Sequence, residues 1–409
     1  MKKHLYFTLL VILFSATRYF DSYGQGCVAV RQMGGINPLT SSGYTLPKGQ
    51  FQIGTSYRYF HSFRHFVGSE EQPHRQTTGG GFDENGKEKG NAVNIYSHSV
   101  DLNLSYAITD RIQVNLSIPY VHNERSQVLA TKKDPNTGQT LEGTRYSVFA
   151  QGLGDIRINT SYWVFNPATA TKGNLLIGAG LKLNTGSHSV KDEALQLDGT
   201  KKSVTMDQAI QPGDGGIGFS IELQGFKQVY KSLYAFANGY YLFNPRESNG
   251  TFKGTAAKSA YDYYACPDQY FGRAGVMVSI LKSKSLTFSA ALRTEGIPAY
   301  DRLGGQVAYR RPGYVVAIES GVSYSKGNHS ISLFVPYNFF KKRIRSASDI
   351  ASSVTYDANS LADPVTYPPK KRANGDAAFA DYSISVNYSY RLGKLFQKKQ
   401  ANLTPQKVF

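Results

Sequence analysis

The residues from His98 to His122 constrain the fold more than any other stretch of this chain. Val100, Leu102, Leu104, Tyr106 and Ile108 alternate with Ser99, Asp101, Asn103, Ser105 and Ala107, and Ile112, Val114, Leu116, Ile118 and Tyr120 then alternate with Gln113, Asn115, Ser117 and Pro119. Two consecutive period-two runs specify two strands, each with one apolar and one polar face. A three-residue turn at Thr109-Asp110-Arg111 sets residue 106 opposite 114, 100 opposite 120 and 98 opposite 122, so that apolar side chains meet at every rung. A two-residue turn would scramble the faces.

The same grammar repeats along the chain. Strands are expected near 51–59, 155–164, 175–184, 217–224, 233–243, 274–280, 286–293, 314–324, 331–339 and 381–392, which with the hairpin makes about twelve, within a range of ten to fourteen. The strand at 233–243 has two faces too similar to separate. Pro119 and Pro336 interrupt strands and each removes one ladder donor, which predicts a bulge or local opening. Amphipathic helical runs are nearly absent after residue 20, so an all-β chain is expected.

Connector lengths choose the architecture. Those after the second, fourth, sixth, eighth and tenth strands are short, whereas those after the odd-numbered strands run from about 15 to 40 residues, including 341–379. That alternation matches a transmembrane antiparallel up-and-down β-barrel, with tight periplasmic turns and long extracellular loops. A secreted β-sandwich shares the periodicity but has no need for its long loops at one end. Tyrosines recur on the apolar face near strand ends (Tyr59, Tyr120, Tyr162, Tyr314, Tyr324, Tyr337, Tyr390), where an amphipathic ring suits the bilayer interface.

Lys2 and Lys3 precede an apolar run from Leu5 to Ala16, with small residues at Ser22 and Gly24; residues 1–24 read as a secretory signal peptide. Lipidation of Cys27 is the alternative. Residues 25–49 form a periplasmic lead or a lumen plug, 50–394 the barrel and 395–409 a tail. The expected location is the outer membrane of a Gram-negative bacterium. Cys27 starts in the periplasm and Cys266 lies in an extracellular loop, so the two are not expected to bond; a disulfide between them would thread the lead through the lumen.

The formal charge is +17, and +15 without residues 1–24. In an exported chain this argues against nucleic acid as a partner and for anionic lipid, including lipopolysaccharide, or for steering of anionic solutes. A monomer that meets lipid and a small solute is expected. No cofactor is expected.

The segments Gly152-Leu153-Gly154-Asp155-Ile156-Arg157 and Ser117-Ile118-Pro119-Tyr120 resemble those of outer-membrane channels related to the long-chain fatty-acid transporter, in the branch associated with aromatic-compound degradation. The resemblance implies passive uptake of small, often hydrophobic, compounds through a monomeric barrel. The short lead before Gly49 and the tail beyond Gly393-Lys394 depart from that pattern. The alternative is a surface barrel that acts through its long loops as an adhesin or assembly partner.

Parity predicts a lumen lined by Arg58, Asp101, Asp155, Arg157, Lys182, Glu222, Arg293, Glu295, Glu319, Asp381 and Arg391, either as a selectivity lining or as ion pairs that hold the interior together. His61, His98 and His122 fall on the apolar face as a rim cluster, able to bind a metal or lipid phosphate or serving as ordinary interface residues. An enzyme is not expected. His98 beside Ser97 or Ser99 is the only place for a catalytic pair, and no nucleophile motif surrounds it. Gly152-Leu153-Gly154-Asp155 opens a strand rather than a helix, against a dinucleotide site.

Overall fold

A computed structural model describes residues 46–76, 92–128, 145–196, 199–252, 260–280, 285–362 and 375–394. The signal peptide, Cys27, nearly all of the 25–49 lead and the C-terminal tail lie outside the described residues.

The strands are β1 (Gln50–Val67), β2 (Asn94–Ala107), β3 (Ile112–Val128), β4 (Arg145–Leu153), β5 (Arg157–Trp163), β6 (Gly173–Lys182), β7 (Gly218–Tyr230), β8 (Leu233–Phe243), β9 (Gln269–Ser279), β10 (Leu286–Ile297), β11 (Gly313–Lys326), β12 (His329–Arg343) and β13 (Ala377–Lys394). All pairings among them are antiparallel, β3 pairs with β2 and with both β4 and β5, and β13 closes on β1, from Gln50 opposite Lys394 to Phe66 opposite Ala377. The strands β4 and β5 share one stave, so the barrel has twelve.

The β2–β3 register is the one read from sequence. Tyr106 faces Val114, Val100 faces Tyr120 and His98 faces His122. Ile108 N donates to Ile112 O at 2.9 Å, closing the turn. Short turns recur at 164–172, 231–232 and 327–328, and Ile280 N donates to Leu286 O at 3.0 Å where β9 and β10 come together; Gly327, with φ +59°, takes the left-handed position in the 327–328 turn. The described parts of the longer connections lie at the opposite end.

Side-chain alternation orients the wall. Ile221 and Leu223 are 48% and 49% exposed, while Ser220 and Glu222 are 5% and 2% exposed. An apolar exterior around a polar interior is the inverse of a soluble β protein and is the arrangement a bilayer demands. No described helix is long and apolar enough to cross a membrane.

One expectation is corrected. The 341–379 connector contains an α-helix, α1 (Ala347–Ala362). Its start is a reciprocal cap: Asp349 N donates to Ser346 Oγ at 3.1 Å, and Ser346 N donates to Asp349 Oδ2 at 2.8 Å. The Ser346-x-x-Asp349 spacing carried that signal. Pro336 behaves as expected, because β12–β13 pairing skips from Phe334–Ser385 to Tyr337–Tyr382 around it.

Candidate functional site

The lumen is crossed by a ladder of charge. Arg58 on β1 donates to Glu295 on β10 at 2.9 Å, and Arg293 donates to Glu295 at 2.9 Å and to Glu319 on β11 at 2.6 Å. Arg273 on β9 completes the ladder, donating to Glu319 at 2.6 Å and to Asn238 at 2.9 Å. All five ladder side chains are buried. The Arg293 guanidinium lies 4.8 Å from the Phe271 ring centroid, and Arg273 lies 5.4 Å from Phe334. Desolvated charges of this kind are held by mutual bonding and by ring faces, and removing one partner strands another.

The remaining predicted lining residues divide by height. Arg157 donates to the Tyr240 hydroxyl, and Glu222 accepts from Asn159 at 2.9 Å. Lys182 bonds Asp155 at 3.4 Å, Gly216 O at 2.7 Å and also Asp214. Asp381, half-buried near the long-loop end, accepts from Arg64 at 2.9 Å and Lys341 at 2.7 Å. Asp101 and Arg391 flank β1, opposite Ser56 and Gln52, and each has one buried side-chain atom without a hydrogen-bond partner among the described residues.

The wall itself is broken in one stave. Between Ser117 and Tyr120 the strand β3 advances three residues, while the facing chain uses four, from Leu153 to Arg157. The inserted residue ends β4, and Pro119 at the break has no N–H to offer, although its carbonyl accepts from Gly154 N at 2.9 Å. Below the break β5 pairs with both β3 and β6. Above it, β4 pairs with β3 alone among the barrel strands, and along its far edge, among the described residues, runs a two-stranded ribbon (191–195 with 201–205), where Phe149 N donates to Asp192 Oδ2 at 2.7 Å.

Asp155 is the anchor of the break. It accepts from Gly186 N at 3.0 Å and Asp214 N at 3.1 Å, drawing two loops onto the kink. A Cβ on Gly186 would stand 2.8 Å from Gly213 Cα and 2.9 Å from Gly154 C, so only glycine permits three backbones to meet here. The buried Cys266 lies beside this junction and donates to Asp214 O at 3.2 Å; burial pushes its thiol pKa well up.

The long-loop end is stoppered. Ile210 and Ala209 pack with Phe66, Ile95, Val148 and Phe379, and Asn123 Nδ2 donates to Ile210 O at 2.8 Å. Arg311 clasps Asp207 with two bonds of 2.6 and 2.7 Å. Burial works against the Asp207 carboxylate, but the charge and hydrogen bonds of Arg311 outweigh it and hold its pKa below the usual range. Asp376 is only partly buried; desolvation works against its carboxylate too, but bonding to His65 at 2.7 Å with Arg75 at 3.6 Å lowers it to about 2.

Both carboxylates have depressed folded-state values, so their stabilisation is present above the unfolded value of about 4 and is lost as pH falls from there towards 2. Hydrogen exchange, corrected for intrinsic rate, is expected to lose protection at residues 206–211 and 375–379 between pH 5 and pH 3. Unchanged protection at both segments would contradict this account of the stopper.

Sequence reasoning missed an apolar patch on the inner wall. Trp163, Leu176, Phe226, Phe236 and Met277 are buried together towards the short-turn end, with Trp163 and Phe226 edge to face at 6.3 Å. The Trp163 indole Nε1 has no hydrogen-bond partner among the described residues. Phe236 lies on β8, where aromatic residues on both faces hid the parity.

The three histidines sit on the outer face, as parity requires. His98 and His122 are 6.4 Å apart, and His61 stacks on Tyr96. No group of three or more metal-ligating side chains able to hold an ion occurs among the described residues. Ser97 and Ser99 are buried on the inner face, opposite in direction to His98, so the candidate catalytic pair is not assembled.

No family model and no curated protein matches the sequence. Among solved structures, an outer membrane channel from Pseudomonas putida F1 superposes with a TM-score of 0.51 at 10% identity, covering 85% of this chain and 96% of that one. The chain shares the β-barrel fold of that outer-membrane protein. Weaker matches include the Ralstonia pickettii toluene transporter TbuX (TM-score 0.40, 13% identity, 85% and 90% covered) and the translocator domain of the autotransporter NalP from Neisseria meningitidis (0.39, 12%, 85% and 89%).

Proposed function

We propose that this barrel is a monomeric, non-enzymatic channel for passive uptake of small hydrophobic or aromatic solutes across an outer membrane. The broken stave carries the reading. A barrel that only anchors loops needs no interruption in its wall, whereas a solute that partitions into the bilayer needs a sideways route between lumen and membrane.

Three further features support it. The ladder from Arg58 to Arg273 obstructs straight axial flow of ions. The outer surface around the break is apolar, with Phe149, Leu153, Leu181 and Ile217 exposed. The inner patch around Trp163 offers apolar walls and an indole N–H with no hydrogen-bond partner among the described residues, the mixture that suits a small aromatic ligand. The likeness to the Pseudomonas putida outer membrane channel agrees in fold.

Photolabelling tests the route. A tritiated aryl diazirine, irradiated with the reconstituted full chain, is expected to mark peptides carrying Trp163 and Phe226 as well as those flanking the break. Labelling confined to the outward apolar belt would show that the solute never enters the lumen and would overturn the reading. The surface-barrel alternative gains no specific support, because the described loop segment 206–211 packs down onto the lumen rather than projecting.

A further inference from the structure

The outer face carries a second site that solute passage does not use. On the lipid side of β1–β3, Tyr57, Tyr59, Tyr96, His98 and Glu124 line a cleft of about 450 Å³. The Tyr57 hydroxyl and His98 Nδ1 are 2.9 Å apart, and the His98 ring lies 5.0 Å from that of Tyr59. The Tyr96 ring is braced by His61 at 4.3 Å and 8°, and Glu124 accepts from Ser147 Oγ at 2.6 Å.

The height of the cleft identifies its surroundings. His98 lies nine residues up β2 from Ala107 at the short-turn end. At about 3.3 Å per residue and a tilt near 40°, that is roughly 23 Å, the upper edge of an apolar band about 25 Å tall. Val100, Leu102 and Tyr120 directly below are exposed and apolar, whereas Arg145 and Ser126 stand above, joined at 3.0 Å. Lipid headgroups of the outer leaflet therefore face the cleft.

We infer that this cleft binds the saccharide headgroup of an outer-leaflet glycolipid. Tyrosine ring faces and edges give a sugar ring its apolar support, while the hydroxyls, the imidazole and the Glu124 carboxylate match its hydroxyl groups. A carboxylate in the lining disfavours a bare phosphate. The inference rests on the outer-membrane placement of the barrel but not on its transport role.

Calorimetric titration of the full chain in detergent with deacylated lipopolysaccharide core oligosaccharide tests it. The wild type is expected to bind, with inorganic phosphate and a monoaromatic hydrocarbon both failing to compete. Tyr96→Ala and the isosteric Glu124→Gln are expected to weaken binding about tenfold or more, near 1.4 kcal/mol. Tyr162→Ala, an exposed tyrosine elsewhere on the wall, is expected to change nothing.

A folded, heat-modifiable barrel that does not bind the oligosaccharide, or binds it equally in both cleft variants, overturns the site. Displacement by phosphate or by the hydrocarbon overturns the ligand class. A chain that never forms a heat-modifiable barrel removes the membrane placement itself, which distinguishes that failure from the others.

Discussion

Arg293→Met is expected to destabilise the barrel by about 3 kcal/mol or more, the usual cost of breaking a buried charge pair from one side. Arg293 is 1% exposed at its side chain and is the link shared by Glu295 and Glu319. Its loss leaves each carboxylate one arginine, Arg58 and Arg273 respectively, and severs the ladder at its centre. Urea unfolding in lipid vesicles, followed by the fluorescence of the single tryptophan, Trp163, measures the loss. Planar-bilayer recording of the same variant is expected to show ionic current that the wild type lacks. An unchanged midpoint together with an unchanged current would mean that the ladder neither supports the barrel nor obstructs its axis.

The second large effect is expected at the glycine junction. A Cβ on Gly213 would stand 2.5 Å from Gly186 O, 2.7 Å from Gly186 C and 2.7 Å from Asp155 Oδ1. Two of those atoms are backbone and cannot swing away, so Gly213→Val must separate the loops that Asp155 ties to the kink. The two N–H bonds to Asp155 are lost with the contact. A destabilisation of about 2–4 kcal/mol follows from overpacking combined with a disrupted buried hydrogen-bond network. Gly225→Ala is the control, since its Cβ would find nothing nearer than 3.6 Å; it is expected to stay within about 0.5 kcal/mol of wild type. Equal stability of Gly213→Val and Gly225→Ala would show that the junction does not depend on close backbone approach.

Much of the barrel was legible because two local rules act together. Side-chain parity assigns faces, and turn length fixes register, which is why the β2–β3 pairing could be read residue by residue. The rules fail where side chains stop discriminating. In β8 the outward positions hold Leu233, Tyr241 and Phe243 beside Ala235, Ala237 and Gly239, while the inward ones include Phe236, Tyr240 and Leu242, so both faces carry large apolar groups. Helix α1 escaped notice because its serines, alanines and aspartates lack a strong apolar stripe; only its cap was visible.

The candidate site was legible as a set of inward charges but not as a ladder. Arg58 and Glu295 are 237 residues apart, and they meet only because β13 closes on β1 and brings β10 within four staves. Pro119 announced a local irregularity. That the irregularity leaves the far edge of β4 without a barrel partner depends on where β6 ends, at Lys182, and no local pattern encodes it.

A wall broken at one stave permits sideways delivery of small hydrophobic solutes. The most direct test of that delivery is the initial uptake rate of a radiolabelled monoaromatic hydrocarbon by Gram-negative host cells with an intact lipopolysaccharide leaflet, with and without the full chain in their outer membrane. Uptake is expected to be several-fold faster with the wild-type barrel. Equal rates with and without correctly inserted barrel would contradict it.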